Sequence, residues 1–101
     1  MSRPIETQIG EIRQYLEREF PGQVRDPWWD EEARAPVFEV IHETGCHHII
    51  VDMGFIRTCE NAVASLRASD LADYMREART QERRFLILDE GGELHIRSTP
   101  L

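Results

Sequence analysis

Lysine is absent from the 101-residue chain, whose 12 basic residues are all arginine. Its absence excludes a Walker-type phosphate loop, a Schiff-base nucleophile and a lysine general base, each of which needs an amine that can be placed or deprotonated. Long apolar runs are also missing. No stretch approaches the roughly 20 residues that cross a bilayer, and the first 25 residues are already charged, so neither a membrane span nor a secretory leader is expected. Cysteine is sparse. Cys46 and Cys59 could form one disulfide at most, and without a leader two reduced thiols in a cytoplasmic protein are expected. Net positive charge is lacking too: 19 acidic residues against 12 arginines leave −7, which argues against a nucleic-acid partner, because such binders gain affinity by neutralising phosphates. The acidic balance has one sharper reading, an inhibitor or decoy that occupies a basic groove on another protein, and one plainer reading, solubility.

What is present suits one small domain over residues 1–101. Over 3–20, Ile5, Ile9, Ile12, Leu16 and Phe20 recur at steps of four, three, four and four, the stripe of an amphipathic helix. Ser2 is placed to cap it, Pro4 is tolerated in its first turn, and Pro21-Gly22 ends it. Residues 21–36 hold prolines, charges and both tryptophans without periodicity, and read as a long loop, a kind that is often functional. Adjacent residues of an extended chain point opposite ways, so one of Trp28 and Trp29 is expected to pack on the domain and the other to face outward.

Val37–His42 and His47–Met53 read as a β-hairpin. A tight turn at Thr44-Gly45 would set opposed positions to sum to 89, facing His47 with His42 and His48 with Ile41. Phe38, Val40, Ile49, Val51 and Met53 then form the core face, with His42 and His47 at its turn end. Residues 58–80 read as helical, Ser69 capping a helix through Leu71, Tyr74, Met75 and Ala78. A strand through 62–66 is the alternative for the first part. A second hairpin joins 84–88 to 94–98 around Gly91-Gly92, with positions summing to 183. That register opposes Glu90 to Glu93, a like-charge pair suggesting a wider loop.

The order α-β-β-α-β-β predicts an α+β domain, a four-stranded, mostly antiparallel sheet with two helices on one face. The other face would carry Val37, Ile41, Ile50, Leu86 and Leu88 among Glu39, His48, Asp52, His95 and Arg97. That is too apolar for a solvated surface, and patches of this kind mark interaction sites. These ten residues, with Trp28 and Trp29, are the expected interface. Self-association through it, as a two-fold dimer, is the leading expectation, ahead of another protein partner, and no cofactor is inferred.

A metal site is the main alternative. His42 and His47 on the hairpin could reach one ion, with Cys46 or Cys59 adding a thiolate, although neither C-x-x-C nor H-x-x-x-H is present. Catalysis is disfavoured: His48, Glu39 and Asp52 could form an acid–base group beside Cys46, but on a shallow face rather than in a water-excluding cleft.

Overall fold

The computed structural model describes residues 4–90 and 93–101, Glu90 by its backbone alone. Ser2 and the Gly91-Gly92 turn therefore lie outside the described residues. The expected first helix forms as α1 (Ile5–Glu19), with Pro4 at its N-cap rather than in its first turn. Ile12, Leu16 and Phe20 are fully or almost fully buried, and Gln8 and Tyr15 widen the inward stripe.

The segment read as a loop contains a strand. After an isolated bridge from Val24 to Val40, β1 (Trp28–Asp30) pairs antiparallel with β2 (Ala35–Ile41), two residues longer at its start than expected. The turn between them is built by Asp30, whose Oδ1 accepts from the backbone N–H of Glu32 at 2.9 Å, and by Arg34 in the left-handed region at φ 51°. Three residues between charged flanks are too few to show an alternation, which is why this strand escapes sequence reading. Pro36 is accommodated because it lies beyond the β2–β3 ladder, which begins at Val37.

Strand β3 (Cys46–Val51) follows, in a register that differs from expectation by two: positions sum to 87, as in Glu39↔His48 and Val40↔His47. The turn residues are Glu43-Thr44, closed by the N–H of His42 donating to the Gly45 carbonyl at 2.8 Å. Gly45 is needed for another reason. A Cβ there would stand 2.6 Å from the Gln81 carbonyl oxygen and 2.9 Å from that of Arg79. Because the shift is two and not one, each side chain keeps its expected face.

Strand β3 ends at Val51, so Met53 is not a strand residue; it opens α2 (Met53–Thr58), a helix the sequence reading missed. Next come α3 (Ala62–Ala68), capped by Asn61 Oδ1 accepting from Ala64 N–H at 3.0 Å, and α4 (Leu71–Glu77). The strand alternative for 62–66 is thus not adopted. Ser69 ends α3, and Asp70, left-handed at φ 60°, occupies the N-cap of α4. The three helices cross over to β4 (Arg83–Glu90), which lies parallel to β3, and β5 (Glu93–Pro100) returns antiparallel. The second hairpin keeps the expected register, Glu90↔Glu93 included, rather than opening into a wider loop.

Among the described residues the result is an α+β fold with a five-stranded sheet in sequential order and four helices, rather than four strands and two helices. Buried residues of all four helices join Phe38, Val40, Ile49, Val51, Phe85 and Ile87 in one core. The second apolar cluster, Ala35, Val37, Ile50 and Leu86, contains strand residues alone. Among the described residues, this second face therefore packs no helix into its apolar cluster.

Candidate functional site

Residues paired across a sheet share a face, so the register fixes the composition of the helix-free side. One row crosses all five strands: Trp28, Val37, Ile50, Leu86 and Arg97. The next row is Glu39, His48, Arg84 and Thr99, and Ile41 pairs Cys46 beyond it. On the other side lies the pair Leu88↔His95. The expected interface residues thus share this face, with two exceptions. Trp29 pairs Pro36 and has the opposite parity, and Asp52 lies beyond β3, at the N-cap of α2. Arg84 belongs to the face and was overlooked, although its parity with Leu86 was enough to find it.

Contrary to expectation, the apolar centre of the face is already covered within the single chain, so Val37 and Ile50 are not themselves exposed. The Trp28 and His48 rings meet edge to face, with centroids 5.3 Å apart. Adjacent strands are about 4.8 Å apart, so these rings from β1 and β3 meet across β2. Beneath this layer Val37 is 2% exposed and Ile50 9%. Both tryptophans remain accessible, Trp28 at 42% and Trp29 at 48%, so neither packs fully on the domain. Trp28 and Trp29 both line a shallow crevice with Ile9, Pro27 and Pro36 at the β1 edge of the sheet.

Beside Trp28, three groups of differing chemistry converge. His48 Nε2 and Glu39 Oε2 are 2.9 Å apart, and their side chains are each 25% exposed. The Cys46 thiol, two residues before His48 on the same strand and face, completes a set whose ligand atoms all lie within 4.8 Å of one another. Burial raises the Cys46 pKa, and the carboxylates of Glu39 and Glu82 raise it further. The thiol is therefore protonated at neutral pH, the wrong state for a nucleophile.

The pair His42 and His47, expected at a solvated sheet edge or as metal ligands, is buried on the helical side. Their rings bond to each other, Nε2 to Nδ1 at 3.0 Å, and His47 Nε2 lies 2.9 Å from the Ala78 carbonyl oxygen. Both nitrogens of His47 are thus occupied. Cys59 packs against the helical core with its sulfur 3.3 Å from Ser65 Oγ, on the opposite side of the sheet from Cys46. The four residues considered as ligands from sequence do not converge; Cys46 instead meets Glu39 and His48. Both cysteines are free.

A separate cleft of about 490 Å³ opens on the helical side, between α4 and the β4–β5 hairpin, with Tyr74, Phe85, Leu94 and Ile96 among its walls. It gathers apolar surface but no comparable cluster of ligating groups among the described residues. No helix among the described residues is long and apolar enough to cross a membrane. Comparison of the chain with protein-family models, curated proteins and solved structures gives no match.

Proposed function

We propose that this protein is a binding module that self-associates through the helix-free face of its sheet, with Trp28 as an anchor at its edge. The observation that carries this reading is the position of Trp28. A tryptophan 42% exposed stands on an edge strand, at the end of a row in which Val37 and Ile50 are already buried and Leu86 stays partly exposed. Tryptophan is among the residues most enriched at interface hot spots, because it offers a large apolar surface at little entropic cost.

Val37 and Ile50 support the face from beneath, and a partner would meet the layer above them: Trp28, Glu39, His48 and the partly exposed Leu86 and Leu88. A second copy is the favoured partner on electrostatic grounds. Arg84 and Arg97 offset Glu39 on this face, so two chains of net charge −7 meet without concentrating acidic groups there. A two-fold contact between identical faces is also the commonest way for a small domain to close an assembly.

Molar mass by light scattering tests the proposal. The wild-type protein is expected to be dimeric, and Trp28→Ser and Leu88→Asp to be folded monomers. Trp29→Ser, on the opposite side of the sheet, should remain a dimer. A monomeric wild type, or a Trp28→Ser variant that dimerises normally, overturns the reading.

A further inference from the structure

We propose that Glu39, Cys46 and His48 form a site for one divalent transition-metal ion of the zinc type, held on the helix-free face beside Trp28. The inference does not rest on self-association, since all three residues belong to one hairpin of one chain.

The donor set is the first ground. An imidazole nitrogen, a thiol sulfur and a carboxylate oxygen are the three side-chain ligands that zinc takes, and their mixture suits a borderline-soft ion better than calcium or magnesium, which prefer oxygen. Register is the second. Glu39 and His48 are direct cross-strand partners, and Cys46 is two residues from His48, so the pleat itself aims all three at one point. Bond lengths of about 2.0–2.3 Å place the ligand atoms of a tetrahedral zinc about 3.5 Å apart. Here they lie within 4.8 Å of one another, little more than a metal-bound set requires.

Third, binding balances in protons, because a coordinating thiol gives up its hydrogen to solvent. On binding, the Cys46 S–H bond breaks, the sulfur keeps the electron pair and bonds to the ion, and one proton is released to solvent. The hydrogen on Nε2 that links His48 to Glu39 leaves to solvent, the ring takes one up at Nδ1, and the ion takes the place between Nε2 and the Glu39 carboxylate. Three protein ligands leave a fourth position for water, the pattern of open sites rather than closed structural ones. The Trp28 ring against His48 shields one side of the centre.

The test is titration of the metal-free full-length protein with Co²⁺, followed by displacement with Zn²⁺. One equivalent is expected to bind with a thiolate-to-cobalt charge-transfer band and the visible bands of tetrahedral cobalt. Cys46→Ser is expected to abolish the charge-transfer band. Glu39→Gln and His48→Gln should each weaken binding by more than the roughly 10–100-fold that loss of an outer-sphere partner costs. Cys59→Ser should bind as wild type. A readout that needs no variant is alkylation: Zn²⁺ should slow modification of Cys46 and leave that of Cys59 unchanged. Absence of the thiolate band at stoichiometric cobalt, dependence of the band on Cys59, or Cys46 alkylation indifferent to zinc overturns the site. Molar mass reports on self-association separately, so failure of one proposal is distinguishable from failure of the other.

Discussion

His42 donates its Nε2–H to Nδ1 of His47 across 3.0 Å inside the core, and the direction of that bond is forced. The Ala78 carbonyl oxygen, 2.9 Å from His47 Nε2, can only accept, so the His47 proton resides on Nε2. A neutral His47 then has an unprotonated Nδ1, which must receive its hydrogen from His42. The pair fixes both tautomers and ties the first hairpin to the C-terminal end of α4.

Acid should undo this arrangement. Burial lowers the pKa of both rings, assisted at His42 by the neighbouring His47 and by Arg79, and at His47 by Arg83 against opposing backbone hydrogen bonds. Protonating His47 also points two N–H groups at each other. The unfolded chain, with histidine near pH 6.5, takes up protons more readily than the folded one, so stability rises with pH. The contribution is complete above about 6.5 and is lost as pH falls from there through the depressed folded values. Thermal unfolding should show a Tm that drops between roughly pH 7 and pH 5, with a flatter profile in the double variant His42→Leu/His47→Leu. Parallel profiles in the two proteins would show that the pair does not govern the acid response.

Gln8 is the second polar group built into the core. Its Nε2 donates to the carbonyl oxygens of Ile56 at 2.6 Å and Cys59 at 2.8 Å, tying α1 to the end of α2. Gln8→Ala removes both donors and leaves buried carbonyls without a partner, at a cost of about 2–4 kcal/mol. Urea unfolding measures it. A loss below about 0.5 kcal/mol, the range of ordinary surface substitutions, would show that water replaces the amide at no cost.

How far the sequence discloses these features depends on the length of the pattern behind each. The α1 stripe runs for four turns, and both hairpins alternate over enough residues to fix their faces, so the core and the helix-free side are legible. Parity survives a two-residue error in register, which is why the face assignments of the first hairpin hold although its turn is displaced. Pairing does not survive it: the slip sets His48 against Ile41 instead of Glu39, and so hides the contact that brings Glu39, Cys46 and His48 together. The source of the slip is Gly45, read as a turn residue when its role is to admit the carbonyls of Arg79 and Gln81. Helix α2 and strand β1, at six and three residues, are too short for any period to declare itself.

Gly45→Ala should therefore be costly for a reason unrelated to turns. The added methyl meets backbone oxygen at 2.6 Å, so the 79–81 segment has to move, and it directly follows Ala78, whose carbonyl holds His47. A loss of about 1–3 kcal/mol is expected by urea unfolding, as for other overpacked sites. Ala in place of Thr44, a turn residue exposed to solvent, should stay within about 0.5 kcal/mol. If the two variants are equally stable, the close approach yields without cost.

The turn that carries β1 offers the opposite sign. Arg34 holds φ 51°, a left-handed conformation that costs a non-glycine residue about 1 kcal/mol or more, whereas glycine adopts it freely. The side chain is exposed, so removing it forfeits little packing. Glycine gives back part of the gain through the greater freedom of the unfolded chain, which leaves a net stabilisation for Arg34→Gly of up to about 1 kcal/mol. In a domain of this size, about 1 kcal/mol corresponds to a rise in Tm of roughly 4–8 °C. Asp30→Ala should act against it, because Asp30 Oδ1 accepts from the N–H groups of Glu32 at 2.9 Å and Ala33 at 3.5 Å and holds the same turn closed. A fall in Tm for Arg34→Gly would mean that the arginine side chain, and not the backbone geometry, keeps β1 and its tryptophans on the sheet.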